Sequence, residues 1–184
     1  MAIGIKAKRS PEAYDLGASK FFGTPTVPGA WQADFYDDEI FFCQIRLADI
    51  AAFDTEGRLP HQGYLYVFLR TGEGDRRLGA DVRYHDGEPD VAIDDFNAGV
   101  EGYESLNDAY LMEFYQTDAD ADCTRLFGAP SNWNYEGAPP KLLMQYDPLD
   151  HEMGFLDHLD GFLHLFFGEN EGDFGAITLQ EEYS

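Results

Sequence analysis

Two glutamines lie inside apolar segments of this sequence and are the first candidates for chemistry. Gln44 stands within residues 41–47 and Gln145 within residues 142–146. Burying an amide without hydrogen-bond partners costs on the order of a few kcal/mol. Each amide must therefore bond the backbone of its neighbouring Gly-x-Pro turn, lie at an exposed sheet end, or bind a ligand. The sequence leaves these alternatives open, so Gln44 and Gln145 are candidate binding residues.

The two tryptophans of the chain are the second pair of candidates. Trp31 follows Pro25 by a few residues, and Trp133 follows Pro130 in the same way. A flat indole beside a proline turn could form a stacking platform for a sugar ring or for a peptide proline. The structural alternative is that each indole plugs the end of a sheet beneath its turn.

No catalytic residue is predicted. The sequence has no Gly-x-Ser-x-Gly elbow and no glycine-rich phosphate loop before a helix. Cys43 is embedded in an apolar strand, and Cys123 has only Arg125 nearby as a basic group, so neither thiol is favoured as a nucleophile. With 35 Asp and Glu residues, adjacent carboxylates carry no information about acid–base catalysis.

Metal and cofactor sites are not predicted either. The acidic run 118–122 resembles the start of a calcium loop, but Cys123 stands where that loop needs Gly, and Ala129 stands where it needs Glu. We interpret the run as a solvated linker. The segments His151-Glu152 and Asp157-His158 lack the spacing of a zinc helix.

The charge of the chain limits its partners. The sequence carries 12 Lys and Arg against 35 Asp and Glu, a formal net charge of −23. Such a chain is repelled by phosphate backbones and anionic lipid surfaces, so nucleic-acid and membrane binding are not expected. The acidity indicates either a solvated surface that maintains solubility or electrostatic steering toward a basic protein partner.

The compartment is predicted from the cysteines and the hydrophobic runs. Cys43 and Cys123 are the only cysteines. No stretch resembles a signal peptide, and no run approaches the ~18 apolar residues of a transmembrane helix. These features predict a cytoplasmic protein with free thiols.

The elements that must position these residues are mostly strands. Apolar runs predict buried strands at residues 40–47 and 64–70, with a helix of one or two turns at 47–53 between them. Alternation predicts a half-exposed strand at 78–85, after a turn at 71–75. Residues 1–16 are read as an edge strand or a loose arm. The segment 110–115 fits a helix face or a buried strand, and we favour the strand.

The second part of the chain repeats the plan of the first. Residues about 17–90 and 122–184 align as two halves of one compact domain, joined by 91–121. The identities occur in the same order, and the intervals between them shorten in the second half as loop shortening would produce. The identical pairs are Phe22/Phe127, Gly23/Gly128, Pro25/Pro130, Gln44/Gln145, Gly63/Gly161, Leu65/Leu163, Phe68/Phe166, Gly79/Gly175 and Ala80/Ala176. This predicts an α+β, predominantly β fold: an internally duplicated, antiparallel-rich sheet unit with two copies packed in pseudo-two-fold symmetry.

Several of these segments carry a family resemblance. They are FGTP at 22–25, FFCQIRL at 41–47, LP at 59–60 with GYLYVF at 63–68, and LLMQYD at 142–147 followed by GFL at 161–163. With them the chain resembles the YwqG-like family, a bacterial domain of unknown function, over residues 17–180. It lacks the doubled glycine before each turn, where Phe22-Gly23 and Phe127-Gly128 stand. The resemblance implies a duplicated β-rich cytoplasmic protein without established activity, and an immunity-like role.

The sequence therefore favours a non-enzymatic protein-binding module, immunity-like, with a strongly acidic surface and a basic protein partner. The alternative is a small-ligand (sugar or peptide) binding protein that uses Trp31, Gln44, Trp133 and Gln145. The third hypothesis is an uncharacterised hydrolase, in which His151 or His158 would act beside Asp157.

Overall fold

A computed structural model describes residues 1–10, 13–70, 78–100, 104–157 and 159–183. The fold is predominantly β, as the sequence predicts. Its strands are β1 (Ala2–Arg9), β2 (Lys20–Phe21), β3 (Thr26–Val27), β4 (Glu39–Arg46), β5 (Tyr64–Arg70), β6 (Gly79–His85), β7 (Val91–Ala92), β8 (Tyr110–Thr117), β9 (Arg125–Leu126), β10 (Leu142–Tyr146), β11 (Gly161–Phe166) and β12 (Thr178–Tyr183).

The helical elements are short. Helix α1 (Leu47–Ile50) follows β4, and 3₁₀ turns occur at Gly29–Trp31, Glu104–Asn107 and Phe174–Ala176. The predicted strands at 40–47, 64–70 and 78–85 and the predicted short helix are confirmed, as is the strand at 110–115. The predicted turn at 71–75 lies outside the described residues. In the part of the chain that the structure describes, no helix is long and apolar enough to cross a membrane.

Ten strands form one antiparallel sheet in the order β12-β11-β10-β9-β1-β8-β2-β4-β5-β6. Its edge strands β6 and β12 approach each other, so the sheet is nearly closed. Strands β3 and β7 form a separate two-stranded sheet. Because the large sheet curves back on itself, its inner face can enclose one continuous core.

Strands β1 and β8 are central to the large sheet and pair with each other along their full length, from Ala2 opposite Thr117 to Arg9 opposite Tyr110. The interpretation of residues 1–16 as an edge strand or loose arm is therefore wrong for β1. Each central strand also pairs with a short strand distant in sequence: β1 with β9, and β8 with β2. Sequence periodicity indicates strands but does not predict which strands pair when they are distant along the chain.

Two apolar clusters cover opposite faces of β5. Its residues Leu65, Val67 and Leu69 belong to the large inner core. Tyr66 and Phe68 belong to a smaller cluster on the outer face, which we call the outer cluster. The outer cluster consists of Val27, Phe41, Tyr64, Tyr66 and Phe68, with Trp31, Phe35, Ile93 and Phe96 packed against it. Burial on both faces explains the continuous apolar run at 64–69.

Each of the two Gly-x-Pro turns begins with a left-handed residue pair. Phe22 has φ 53° and Gly23 has φ 73°, while Phe127 has φ 66° and Gly128 has φ 88°. A phenylalanine in this region costs about 1–2 kcal/mol. Both rings are buried, and full burial of a Phe contributes about 1.5–3 kcal/mol, which offsets that cost.

Candidate functional site

Gln44 is fully buried in β4, and its amide is used inside the protein. Its Oε1 accepts a hydrogen bond from the backbone N–H of Thr26 at 3.0 Å, immediately after Pro25. Its Nε2 donates to the carbonyl oxygens of Leu16 at 2.9 Å and Ala18 at 3.0 Å. The amide therefore fixes the end of the turn and the segment before β2.

Gln145 in β10 is also fully buried and makes corresponding bonds in the second half of the chain. Its Oε1 accepts from the backbone N–H of Ser131 at 2.8 Å, and its Nε2 donates to the carbonyl of Cys123 at 3.1 Å. The Nε2–H of His164 and the Nη2 of Arg125 donate to the same Oε1, at 3.0 and 3.3 Å. Each glutamine thus bonds the backbone next to its Gly-x-Pro turn, which is the first of the alternatives given by the sequence.

Two buried cations stand beside these amides, and the sequence analysis did not anticipate their burial. Arg125 donates to the carbonyls of Ala121, Phe127 and Ala129 around the second turn. Lys20 donates to the carbonyl of Leu16. Burial lowers the pKa of Lys20 to about 7, because the charged ammonium loses its hydration. Lys20 and Arg125 also occupy equivalent positions in the alignment of the two halves, but this equivalence gives no indication of burial.

Trp31 is half-buried and packs on the outer cluster. Its ring lies edge-on to Tyr66 at a centroid distance of 5.4 Å and 6.1 Å from His85. The guanidinium of Arg83 lies 5.5 Å from the Trp31 ring centroid. One side of the indole therefore covers the sheet, as the plugging alternative requires, while the remainder is accessible.

Trp133 is half-buried on the other half of the sheet. It lies edge-on to Phe166 of β11 at 5.6 Å and 5.0 Å from Tyr135, and its Nε1 donates to the carbonyl of Gly137 at 3.3 Å. No ring contact joins Trp31 to Trp133 among the described residues. The structure therefore places the two tryptophans in separate environments, on β5 and on β11.

A cluster of charged side chains around the buried Glu39 lies beside residues 31–38, and the sequence did not predict it. The Glu39 side chain is 0% exposed, and its Oε1 lies 3.8 Å from Nη2 of Arg83. Arg83 donates to Oδ2 of Asp81 at 2.6 Å and to the carbonyl of Asp34 at 3.1 Å. Burial and the neighbouring Asp81 raise the pKa of Glu39 to about 7. Since Glu39 Oε2 also accepts from the N–H of Tyr36 at 3.0 Å, the cluster holds the 31–38 loop on the sheet.

Five buried side-chain atoms have no hydrogen-bond partner among the described residues, and two of them lie next to the buried glutamines. These two are the Tyr66 hydroxyl and the Nδ1 of His164. Tyr66 lies opposite Gln44 in the β4–β5 register, and His164 lies opposite Gln145 in the β10–β11 register. Burial lowers the pKa of His164 to about 4, so the ring is neutral near neutral pH. An unpaired buried atom of this kind costs about 1–3 kcal/mol.

Among the described residues of the hydrolase hypothesis, no hydrogen bond or ion pair joins His151 to Asp157. His151 lies 3.6 Å from Asp150 through Nε2, and burial lowers its pKa. Asp157 is exposed, and His158 lies outside the described residues. Burial also raises the pKa of Cys43 and Cys123, which reduces the reactivity of both thiols.

The acidic run 118–122 has no complete metal-ligand set. Asp118, Asp120 and Asp122 are exposed. Within the described ranges, no group of three or more His, Cys, Asp or Glu side chains is arranged to hold a metal ion.

Comparison with known proteins gives no further indication of function. No protein-family model matches this chain, and no curated protein matches it.

Proposed function

We propose that this protein is a non-enzymatic, immunity-like binding protein that recognises a basic protein partner through an acidic surface. The proposal is supported by the net charge of −23 and by how the positive charges are used. Most described Lys and Arg side chains leave no unpaired positive charge on the surface, because they are either buried or already paired with carboxylates.

The distribution of the cations supports this view. Six pair with carboxylates within 4.0 Å: Arg9, Arg46, Arg58, Arg70, Arg83 and Lys141. Lys20 and Arg125 are 0% exposed and bond to carbonyls. Of the ten Lys and Arg residues in the described part of the chain, Lys6 and Lys8 of β1 remain.

The partner-binding surface that fits best is the one around Trp31, and this surface carries the proposal. It consists of residues 28–38 and 85–95, which contain no Lys or Arg. We call it the Trp31 patch. The two segments meet through β3 and β7 and through the Gly29 N–H, which donates to Asp90 at 2.7 Å. Its exposed acids are Asp34, Asp37, Asp86, Glu88, Asp90, Asp94 and Asp95.

The Trp31 patch also contains the aromatic side chains that protein interfaces use as anchors. Trp31 is half-buried, and Tyr36 is 57% exposed. Trp and Tyr are enriched among residues that carry binding energy, and a cation stacks well on an indole face. Arg83 lies 5.5 Å from the Trp31 ring centroid, but the two segments of the patch themselves carry only acidic charges. A partly accessible indole in such segments suits an Arg or Lys side chain of a partner.

The proposal is tested with a nona-arginine peptide by isothermal titration calorimetry. Replacing Asp34, Asp86 and Asp94 by Asn removes three charges from the Trp31 patch without removing a side-chain hydrogen bond within it. The matched control replaces Asp118, Asp120 and Asp122 by Asn, which gives the same net charge. We expect the patch variant to bind about tenfold more weakly than the control variant. Equal affinity of the two variants, or no binding by the wild type, would refute the proposal.

Small-ligand binding at the tryptophans is a second proposal, favoured by the unpaired Tyr66 hydroxyl and His164 Nδ1. A sugar or peptide group would satisfy these atoms only after the side chains that cover them move aside, because Tyr66 and His164 are fully buried. The glutamines do not add to this proposal, because their amides are bonded internally. Quenching of tryptophan fluorescence by a sugar panel, lost separately in Trp31→Phe and Trp133→Phe, would support it.

We further propose that the two halves arose by duplication, as the YwqG-like resemblance implies. The proposal is supported by recurring contacts: Phe22 N donates to Phe42 O as Phe127 N donates to Leu143 O. It is also supported by the bonds of the two glutamines to Thr26 and Ser131. A cytoplasmic location is proposed as well, supported by two cysteines that form no disulfide.

A further inference from the structure

A cleft of about 430 Å³ lies away from the Trp31 patch and is lined by residues from both parts of the chain. Glu56 and Arg58 come from the segment between α1 and β5, and the other lining residues are Gly128, Lys141, Leu142 and Glu171. Small-molecule sites typically have volumes of about 300–1,000 Å³, so the cleft can hold a small ligand.

Arg58 is held rigidly at this cleft. Its guanidinium carbon lies 4.3 Å from the ring centroid of Phe127 and 5.7 Å from that of Phe167. Its backbone N–H donates to Oδ1 of the buried Asp54 at 3.1 Å. These contacts fix the guanidinium before any ligand arrives, which lowers the entropy lost on binding.

The ion pairs at the cleft leave hydrogen-bonding capacity on the cations. Arg58 Nε donates to Glu171 at 3.3 Å, and Lys141 Nζ donates to the same carboxylate at 2.5 Å. The Nη atoms of Arg58 have no hydrogen-bond acceptor within the described ranges. Their fork geometry matches the two oxygens of a carboxylate.

This cleft differs from the other ion pairs of the protein in its balance of charge. Arg46 is shared by two carboxylates, Asp15 and Asp49. Arg83 is likewise shared, by Asp81 and Glu39. At the cleft the ratio of cations to carboxylates is reversed. Two cations, Arg58 and Lys141, pair with the single carboxylate of Glu171.

We propose that this cleft binds a small molecule through a single carboxylate group, held by the guanidinium of Arg58 and the ammonium of Lys141. The two cations already bind one carboxylate together, because both donate hydrogen bonds to Glu171. Glu56 also lines the cleft, so its net charge is close to zero and a polyanion is disfavoured.

The test uses butyrate as the probe, with butyramide as its neutral isostere, in amide NMR titrations at 0.15 M NaCl. At this salt concentration the screening length is about 8 Å, so distant carboxylates have little influence. We expect butyrate, but not butyramide, to shift the amides of Gly128 and Leu142, with a dissociation constant in the roughly millimolar range. Butyrate without effect on these amides, or butyramide with the same effect, would overturn the proposal.

Two variants separate the carboxylate site from general electrostatic attraction. Arg58→Lys keeps the positive charge but loses the paired N–H groups of the guanidinium, so it should weaken butyrate binding about tenfold. Glu171→Gln removes a repelling carboxylate and should strengthen binding, whereas Arg70→Lys, outside the cleft, should leave it unchanged. Unchanged affinity in both cleft variants would overturn the proposal, as would tighter binding of inorganic phosphate than of butyrate. None of these outcomes depends on whether the Trp31 patch binds a basic partner.

Discussion

The Oε1 atom of Gln145 accepts a hydrogen bond from the backbone N–H of Ser131 at 2.8 Å, one residue beyond Pro130. In the first half of the chain, Gln44 accepts from Thr26, one residue beyond Pro25, at 3.0 Å. A buried side-chain amide thus links each Gly-x-Pro turn to a strand, β4 in the first half and β10 in the second. Because residues 28–38 of the Trp31 patch follow β3 (Thr26–Val27) directly, the turn also positions the proposed partner-binding surface.

Replacing either buried glutamine by Leu should destabilise the protein. Each substitution leaves buried backbone groups unpaired, at about 1–3 kcal/mol per group. Gln145→Leu should cost more than Gln44→Leu, because His164 and Arg125 also donate to Gln145. Urea unfolding measures the difference, with the exposed Gln62→Leu as the control, expected within about 0.5 kcal/mol of the wild type. A Gln145→Leu variant as stable as the control would contradict the role assigned to the amide.

Lys20 should make the protein more stable as the pH rises above neutrality. Its pKa in the folded protein is about 7, below the ordinary 10.5. Between these values the unfolded chain binds more protons than the folded one, so the free energy of unfolding increases with pH. The gain from pH 7 to pH 9.5 should be on the order of 3 kcal/mol.

The Lys20→Met variant should lack this increase, while the Lys8→Met control on β1 should retain it. Urea unfolding at pH 7 and pH 9.5 provides the comparison. Parallel pH dependence in Lys20→Met and the wild type would show that Lys20 is not the group responsible.

His164 should contribute to acid sensitivity. Its pKa is lowered from 6.5 to about 4 by burial, with Arg125 as a second cause. As the pH falls from 6.5 toward 4, the unfolded chain takes up a proton that the folded chain does not, so stability is lost. His164→Phe should lose less stability than the wild type between pH 6.5 and pH 4.5. The exposed His61→Gln should behave like the wild type, and an identical acid response in all three proteins would disprove the assignment.

Gly63 should be far more sensitive to substitution than Gly57. Both have positive φ, 76° and 64°. A Cβ on Gly63 would lie 2.1 Å from the carbonyl oxygen of His85, whereas a Cβ on Gly57 meets nothing within 4 Å. Gly57→Ala should cost about 1–2 kcal/mol from its backbone conformation alone. Gly63→Ala should cost clearly more, because β6 must move, and thermal unfolding that ranks the two variants in reverse would contradict this geometry.

The sequence predicts those parts of the fold whose patterns are local. Residues 64–70 are apolar on both faces, and β5 is buried on both faces in the structure. A polar residue in an apolar strand was likewise enough to single out Gln44 and Gln145. The central position of β1 was not predictable in this way, because Lys6 and Lys8 interrupt its apolar pattern and its partners are distant in sequence.

The charged groups inside the structure were harder to predict. Lys20, Arg125 and Glu39 are buried, although such residues are almost always exposed. Their burial depends on carbonyls and charges that come together only in the folded chain, such as the three carbonyls around Arg125. No local pattern encodes that arrangement.

Hydrogen exchange with and without a nona-arginine peptide tests the proposed binding surface most directly. If the Trp31 patch receives the basic partner, exchange should slow in residues 28–38 and 85–95, and this protection should disappear in the Asp34, Asp86 and Asp94 variant. Protection centred on residues 118–122, or spread evenly over the acidic surface, would contradict recognition at the Trp31 patch.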